Sequence, residues 1–501
     1  MFDFFNKKSQ EKKRMQPKKG VGTRILGGHR IRSGFFSDHY DNYFTKNVTS
    51  ASIDYYLRQD LTEVRTKSRE FVRTKALGRR FAKMMRRNIV GINGISVIPQ
   101  KKMRDGKLDE KANDALRRCW KDWSDNHCDL KGRCSFTELC RQAINHAGID
   151  GEFIFEKFIG KDFGKYGYQL KLIDPELLDV QKNEELANGG EIRLGVEYDK
   201  YGRVSGYHFR EMSFHGNYRT GIEYRIGAEK IMHCFIQEHA DQSRGIPWTV
   251  AVLETQGHLY GFKESAIVRA RVSASVLHTI KTDPKIPYTG GHVDEDTGID
   301  YTDVEPGEIL ELKEGQQMDT SDVDYPDGLY STLIKDQQRE TAIGLGVSYA
   351  GLTGDLSEVN FSSMRAGTIE ERDEYKILQN WLISDFVKKV YEQFIEIAYL
   401  KSEIKIGGFA VTNPVDEYKA AIFRGRGWEW VDPQKDAKTN IDLINNNLKS
   451  LSETILEMGK DHNEVLDNIA RDKAKMKEMG IETITEKELA IAAGQQNENA
   501  E

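Results

Sequence analysis

Cysteine, proline and long apolar runs are scarce in this sequence. Its 501 residues include five cysteines and ten prolines. Five cysteines without a CxxC pair do not make an even disulfide framework, so we expect reduced thiols. No run approaches the roughly 18 apolar residues of a membrane span, and the first residues lack the apolar stretch of a secretory signal. We therefore expect a protein that is made and kept in the cytoplasm, with no membrane partner.

A net positive charge is also absent. The formal net charge is -6, which argues against a chain that is a basic nucleic-acid binder as a whole. The charge is nevertheless segregated. Residues 1–40 hold ten Lys and Arg against three Asp and Glu, and we interpret residues 1–49 as a basic flexible arm. Residues 283–330 hold fourteen Asp and Glu against two Lys, which predicts an acidic, loop-rich insertion.

Complete catalytic and metal-binding motifs are missing as well. Ser348 in "GVSYAG" resembles the nucleophile elbow G-x-S-x-G, but the second glycine comes one position late, so we favour a structural loop serine. Zinc-type ligands occur at His127, Cys128, Cys134 and Cys140, with Cys119, but without the close pairing of a zinc knuckle. The acidic stretch at 294–305 lacks the glycine of a calcium loop. We expect no catalytic residue, no metal site and no cofactor.

The spacing of apolar residues predicts an α+β fold for the first half of the chain. Residues 59–90 follow helical spacing as one or two amphipathic helices that end at "GING", and further helices are predicted at 112–123 and 136–147. "EFIFEKF", "YQLKLID" and "EKIMHCFI" have strand character, and "YDKYGRVSGY" predicts a hairpin. Glu152 and Glu156 would share one strand face, which we interpret as an ordinary solvent-facing pair.

The second half is predicted to be mostly helical. Helices are expected at about 249–280 and 330–345, on either side of the acidic insertion, in which "EILELK" is the one expected strand. Two helices that flank an insertion can stand side by side and carry it at their far end. A loop of small residues follows, then a long helix at about 362–400 with one apolar side. Amphipathic helices follow toward the end of the chain.

Several short stretches resemble one known family. They are "NIVGINGI", "CDLKGR", "GIDGEFIF", "LIDPELL", "RGIPW", "GVSYAGLTGDLSEVNFSSMRAG" and "RGWEWVDPQKD". In these stretches and in the order of its elements, the chain is similar to the portal, or head-to-tail connector, proteins of lambda-like tailed bacteriophages. The resemblance covers nearly all of the chain beyond the basic arm. "LTGD…NFSSMRAG" and "RGWEWVDP" are its most specific motifs.

The resemblance implies a portal fold and a dodecameric ring around a channel for double-stranded DNA. Such a ring is assembled in the host cytoplasm, stands at the capsid vertex of the virion, and serves DNA packaging and ejection. Each subunit would have an α/β wing, a helical stem, a loop-rich clip and a helical C-terminal crown. The expected boundaries are wing 50–243, stem 244–282 and 330–345, clip 283–329, tunnel loop region 346–361, long helix with wing return 362–427, crown 428–490 and disordered tail 491–501.

The resemblance also implies functional surfaces and partners. The expected DNA tunnel loop consists of Gly354, Asp355, Leu356, Ser357, Glu358, Val359 and Asn360. Possible channel-lining stem residues are Arg269, Arg271 and Lys281. For the two arginines, a solvated or subunit-pairing helix face is an equally good alternative. The expected partner surface of the clip consists of Asp294, Glu295, Asp296, Asp300 and Asp303. Implied partners are further copies of the chain, DNA, the terminase motor, major capsid and scaffold proteins, and head-tail connector proteins.

Two other functions stay open at this point. One is an enzyme that processes DNA or capsid protein through Ser348 or the acidic residues. The other is a monomeric nucleic-acid-binding adaptor that uses the basic arm. A structural DNA conduit is the leading hypothesis, and the assembly state of the purified protein separates it from both alternatives.

Overall fold

The computed structural model describes residues 51–212, 222–275, 279–282, 292–293, 300–301, 316–319, 328–357, 360–411, 414–428, 432–459 and 462–479. Within these residues the predicted α+β class is confirmed. No helix among them has the length and apolar character needed to cross a membrane. The basic arm, the strand predicted at "EILELK" and the C-terminal tail lie outside the described residues.

The helices follow the predicted apolar spacing closely. They are α1 (Ile53–Thr74), α2 (Ala76–Met85), α3 (Glu110–Asn126), α4 (Phe136–Asp150), α5 (Val250–Ser275), α6 (Gly328–Gly344), α7 (Tyr349–Thr353), α8 (Phe361–Leu382), α9 (Lys388–Leu400), α10 (Pro433–Asn445), α11 (Leu451–Glu457) and α12 (His462–Glu478). An extended backbone at Lys75 separates α1 from α2. Two π-helical turns, Arg86–Val90 and Ile383–Val387, continue α2 and join α8 to α9.

The strands are short and pair antiparallel in small sheets. They are β1 (Ser96–Pro99), β2 (Glu152–Ile159), β3 (Tyr168–Ile173), β4 (Glu184–Glu185), β5 (Glu191–Arg193), β6 (Val196–Tyr198), β7 (Val204–Arg210), β8 (Glu223–Gly227), β9 (Ile231–Phe235), β10 (Thr279–Thr282), β11 (His292–Val293), β12 (Asp300–Tyr301), β13 (Gln316–Asp319), β14 (Lys405–Ile406), β15 (Phe409–Ala410) and β16 (Ala421–Arg424).

Two of these sheets share a core. One has the strand order β3-β2-β9, and the other is a five-stranded meander of β4 to β8. The predicted hairpin "YDKYGRVSGY" is confirmed, because β6 and β7 pair across it. Apolar side chains of both sheets and of their connections form one buried cluster, which consists of Ile154, Ile173, Leu178, Val196, Tyr207, Phe209 and Ile231. Alternation along the strands places these residues on the inner faces.

The long helix α8–α9 packs back onto the first half of the chain. Its predicted apolar side is confirmed, since Phe386 and Phe394 are fully buried. The ring of Phe386 stacks on Phe155 of β2 with centroids 4.7 Å apart, and Phe394 lies 5.0 Å from Trp123 of α3. Burying an aromatic side chain of this size contributes about 2 kcal/mol. This core therefore joins the two halves of the chain.

Candidate functional site

The predicted tunnel loop begins at the end of α7. Ser348 precedes this short helix, and its Oγ accepts a hydrogen bond from the backbone N–H of Gly351 at 3.1 Å, which caps the helix. Gly354 ends α7 in the left-handed conformation, with φ of +79°. Glycine adopts this conformation without strain. The two ends of α7 therefore fix where the loop begins.

Glu371 ties α7 to the long helix α8. Its Oε2 accepts a hydrogen bond from Ser348 Oγ at 2.8 Å, and its Oε1 accepts one from the hydroxyl of Tyr375 at 2.7 Å. Arg80 of α2 donates from Nε to the carbonyl of Gly351 at 3.1 Å. Ser348 is thus a capping and anchoring residue, in agreement with its interpretation as a structural serine.

Asp355 is held at the start of the loop by polar neighbours. It accepts hydrogen bonds from the backbone N–H and Oγ of Ser357 at 3.0 and 2.7 Å, and from the hydroxyl of Tyr349 at 3.0 Å. These bonds, those from Ser357 first, lower the pKa of Asp355 to about 2. Lys335 Nζ lies 3.8 Å from its carboxylate. Asp355 is therefore charged at neutral pH.

The remaining loop residues are described in part. The side chain of Leu356 is 57% exposed, and Ser357 is exposed as well. Glu358 and Val359 lie outside the described residues. Asn360 directly precedes α8, and its carbonyl accepts the backbone N–H of Met364 at 2.9 Å. The loop is thus fixed to a helix at each end, while Leu356 and Ser357 between the helices are exposed.

The two helices that flank the insertion pack side by side, as the sequence predicted. Gln256 of α5 donates a buried hydrogen bond to the hydroxyl of Thr341 of α6. The rings of Phe262 and Tyr330 stack with centroids 5.7 Å apart. Strand β10, which follows α5, pairs with β13, which precedes α6. The insertion therefore leaves the helix pair through two paired strands.

One boundary of this helix pair was predicted wrongly. The sequence indicated helix to about residue 280, whereas α5 ends at Ser275 and Thr279–Thr282 forms β10. β-branched side chains dominate this segment, and they favour extended backbone when a partner strand is present. Arg269 and Arg271 are exposed on α5. Lys281 lies in β10, opposite Gln317 of β13, so it does not share the helix of the two arginines.

The acidic residues predicted for the clip are mostly outside the described part of the chain. Asp300 lies in β12, opposite Val293 of β11. The other four, Asp294, Glu295, Asp296 and Asp303, belong to segments that the structure does not describe.

Three of the sequence motifs converge on a buried ion cluster. The side chains of Glu152, Arg65 and Arg244 are fully buried. Glu152 Oε1 accepts hydrogen bonds from Arg65 Nη2 at 2.7 Å and from Arg244 Nη2 at 2.6 Å. Its Oε2 accepts the backbone N–H of Gly245 at 2.8 Å and lies 3.0 Å from His233 Nε2. The interpretation of Glu152 as solvent-facing was therefore wrong.

The cluster satisfies its polar atoms internally. Arg244 also donates to three backbone carbonyls. Burial would raise the pKa of Glu152, but the charges of Arg244 and Arg65 hold it well below its ordinary value. One of the carbonyls belongs to Pro175 of "LIDPELL", while Glu152 belongs to "GIDGEFIF" and Arg244 to "RGIPW". The shared role of the three motifs is to fix the chain just before α5.

Two glycines allow the backbone to cross at this cluster. A Cβ on Gly245 would lie 2.1 Å from the carbonyl oxygen of Gly151, and Gly151 itself has φ of +86°. Any larger residue at either position would force the two segments apart. Gly151 of "GIDGE" and Gly245 of "RGIPW" are therefore both needed for this close approach of the two backbones.

A second junction joins "NIVGINGI" to "RGWEWVDPQKD". Arg426 Nη1 donates to the carbonyl of Arg87 at 2.8 Å and to Oδ1 of Asn88 at 2.9 Å. Gln379 of α8 donates from Nε2 to the carbonyls of Asn88 and Arg426, at 3.0 and 3.1 Å. The motifs at these two junctions thus hold distant parts of the chain together through hydrogen bonds and ion pairs.

The family model and the sequence relatives agree on one class. Residues 44–379 match the family model for phage portal proteins of the lambda family. A probable portal protein of Halomonas phage phiHAP-1 is 29% identical over 451 residues, which cover 88% of this chain and 86% of that protein. Portal protein B of Escherichia phage lambda is 20% identical over 478 residues, with 87% and 88% covered. A chain from the neck of an empty gene transfer agent particle aligns with 80% of this chain and 94% of its own length, at a TM-score of 0.43 and 12% identity.

The sequence matches define the class as the portal proteins of phages, which are structural, non-enzymatic head-to-tail connectors. This chain belongs to the lambda family of phage portal proteins. The resemblance stated from the motifs is thereby confirmed.

The ion cluster is the feature that sequence reasoning missed. A carboxylate that opens an apolar run, as Glu152 does in "EFIF", is one signal of a buried partner. A second is the arginine of "RGIPW", which stands directly before the short apolar stretch at residues 246–248. Neither signal says which charges meet, because Arg65 and Arg244 are 87 and 92 residues away from Glu152.

Proposed function

We propose that copies of this chain form a ring around an axial channel at the capsid vertex, and that double-stranded DNA passes through this channel during packaging and ejection. Membership in the portal family carries the proposal. The packed pair α5 and α6, followed by the capped helix α7, supports it, since it is a rigid base for a loop. A ring repeats each side chain around its axis, so one charge per chain becomes a band of charge.

The tunnel loop, residues 354–360, is the segment proposed to approach the DNA. Asp355 contributes a carboxylate that stays charged at neutral pH because its hydrogen bonds lower its pKa. A band of carboxylates repels phosphates, which favours sliding over tight binding. The exposed Leu356 can touch the duplex without reading its bases.

The acidic insertion, residues 283–329, is proposed as the clip that meets the terminase motor and later the head-tail connector proteins. Its excess of acidic residues motivates this role. The paired strands β10 and β13 hold its two ends together, so partner forces on the insertion are transmitted to α5 and α6.

Electron micrographs and mass measurement of the purified protein test the ring. Rings with a central hole are the expected result. A strictly monomeric protein contradicts the proposal and favours a nucleic-acid-binding adaptor.

Deletion of residues 356–359 tests the loop. Rings should form normally, because the deletion leaves Ser348, Glu371 and the helix pair intact, while DNA packaging or retention should fail. A matched variant has Gly-Ser-Gly-Ser at residues 356–359, which keeps the length of the loop and Ser357 but removes the side chains of Leu356, Glu358 and Val359. Normal packaging and retention by the deletion variant contradicts a DNA-contacting loop.

Charge reversal tests the clip. Its five acidic residues, Asp294, Glu295, Asp296, Asp300 and Asp303, are changed to Lys. We expect intact rings with weaker binding of terminase and connector proteins. The matched control reverses five exposed acidic residues elsewhere, namely Asp105, Glu110, Asp114, Glu184 and Glu185. Equal partner binding by the two variants assigns the insertion no special role.

A further inference from the structure

The segment from α2 through its π-helical turn is unusually basic. Residues 71–90 contain seven Lys and Arg and no Asp or Glu. Its apolar residues are buried against the rest of the protein, as an amphipathic helix requires. Apart from Ala76, the exposed residues between Ala76 and Val90 are Arg79, Arg80, Lys83 and Arg87. We call these four residues the basic face.

The basic face is not neutralised by the described part of the chain. Arg79, Lys83 and Arg87 make no ion pair with any described residue. Arg80 donates from Nε to a neutral group, the carbonyl of Gly351. Elsewhere on the same segment Lys75 is already engaged, since its Nζ lies 4.3 Å from the ring centroid of Tyr260 on α5.

The composition of the basic face fits a polyanion better than a protein partner. Protein interfaces are centred on large apolar or aromatic residues that become fully buried, and the exposed side of this helix has none, since its one exposed apolar residue is Ala76. Guanidinium groups match phosphate oxygens in geometry and charge. Arg79, Lys83 and Arg87 follow at steps of four residues, about 6 Å along a helix. Every second phosphate of a DNA strand advances by about 7 Å.

The position of the basic face supports the same partner. The hydrogen bond from Arg80 to Gly351 joins it to α7, and Gly351 is three residues before the first residue of the tunnel loop. Met84 of α2 also lies against this part of α7, since a Cβ on Gly351 would be 3.0 Å from its methyl group. Positive charge therefore begins directly beside the segment proposed to approach DNA.

We propose that the basic face binds the phosphate backbone of double-stranded DNA without reading its sequence, and so supplies the attraction that the acidic loop lacks. This inference rests on the proposed function of a DNA conduit. The basic face attracts phosphates and the acidic loop repels them. Together they keep the duplex loosely bound while it moves.

The test is the salt dependence of DNA binding by the purified full-length protein. The probe is a short mixed-sequence DNA duplex, and binding is followed by fluorescence anisotropy at several salt concentrations. The variant is Arg79→Gln, Lys83→Gln and Arg87→Gln together. For every phosphate that this variant no longer neutralises, the slope of log affinity against log salt should become shallower by about 0.9. The decrease in affinity should be equal for unrelated sequences.

Two further variants complete the test. The matched control, Lys102→Gln, Arg104→Gln and Lys107→Gln, removes the same charge from an exposed loop and should keep the wild-type slope. The variant Arg79→Lys with Arg87→Lys keeps the charge and should also keep the slope. An equal change in slope for the face variant and the matched control overturns the inference. So does a face variant that no longer forms rings, because the face would then belong to a subunit contact.

The assembly state is measured on the same samples. Wild-type protein that stays monomeric contradicts the proposed function, and the comparison of slopes is still made on the form that the protein takes. Rings that bind DNA with an unchanged slope in the face variant contradict only the present inference.

Discussion

The ion cluster around Glu152 and the junction around Glu371 use the same side chain in opposite ways. Glu152 is fully buried between two arginines. Glu371 is half-buried and accepts hydrogen bonds from the hydroxyls of Ser348 and Tyr375. A charge in a dry site is costly unless it is paired, whereas a half-buried carboxylate that accepts hydrogen bonds from neutral hydroxyls can exchange them for water at smaller cost. The first site therefore holds the base of α5 more firmly than the second holds α7 to α8.

The largest predicted effect is the difference in free energy of unfolding when each glutamate is replaced by glutamine. Glu152→Gln keeps the shape of the side chain but leaves two buried guanidinium groups without their counter-charge. Removing one partner of a buried pair costs about 3–5 kcal/mol, so the free energy of unfolding in denaturant should fall steeply. Glu371→Gln faces two neutral hydroxyl donors near solvent, one of which its amide oxygen can still accept, and should cost about 1–2 kcal/mol. Equal losses would contradict the contrast between the sites.

The same cluster should make stability depend on acid pH. The pKa of Glu152 in the folded protein lies well below its ordinary value of 4.5. The stabilisation linked to this shift is therefore complete above about 4.5 and is lost as the pH falls toward the folded-state pKa. We expect the free energy of unfolding to decrease below about pH 4.5, and to decrease less in Glu152→Gln. Denaturant titrations at a series of pH values measure this, and parallel curves for the two proteins would exclude it.

The next largest effect on stability is expected where the backbone segments of Gly151 and Gly245 cross. Gly151 and Gly202 both have positive φ, +86° and +77°, so alanine strains each backbone by about 1 kcal/mol. A Cβ on Gly151 would also lie 2.4 Å from the backbone of Ile246, whereas nothing lies within 4 Å of one on Gly202. Overpacking adds about 1–3 kcal/mol. Unfolding in denaturant should therefore show a larger loss for Gly151→Ala than for Gly202→Ala. A loss at Gly202 as large as that at Gly151 would show that φ alone determines the cost.

Local patterns in the sequence predicted what depends on neighbours in the chain. Helical spacing indicated the buried side of α8–α9 with Phe386 and Phe394, and alternation with a turn indicated the β6–β7 hairpin. Contacts between distant residues decided the rest. The end of α5 depends on whether β13 is there to pair with Thr279–Thr282, and the burial of Glu152 depends on arginines far away in the chain. Positions of the loop and basic residues relative to DNA depend on the assembled ring, so they stay predictions.

The smallest predicted effect concerns Ser348. An anchoring role and a nucleophilic role of this residue predict different results. Ser348→Ala removes the cap of α7 and the hydrogen bond to Glu371, which should cost about 1 kcal/mol locally. The amide of Gly351, which donates to Ser348 Oγ, should then exchange its hydrogen about five-fold faster. Ser348→Asn keeps a good capping residue and should restore slow exchange, although it has no hydroxyl. Ring formation and DNA packaging should be normal in both variants, because Glu371 keeps its bond to Tyr375. Loss of packaging in both, as severe as deletion of the protein, would instead point to chemistry at the serine hydroxyl.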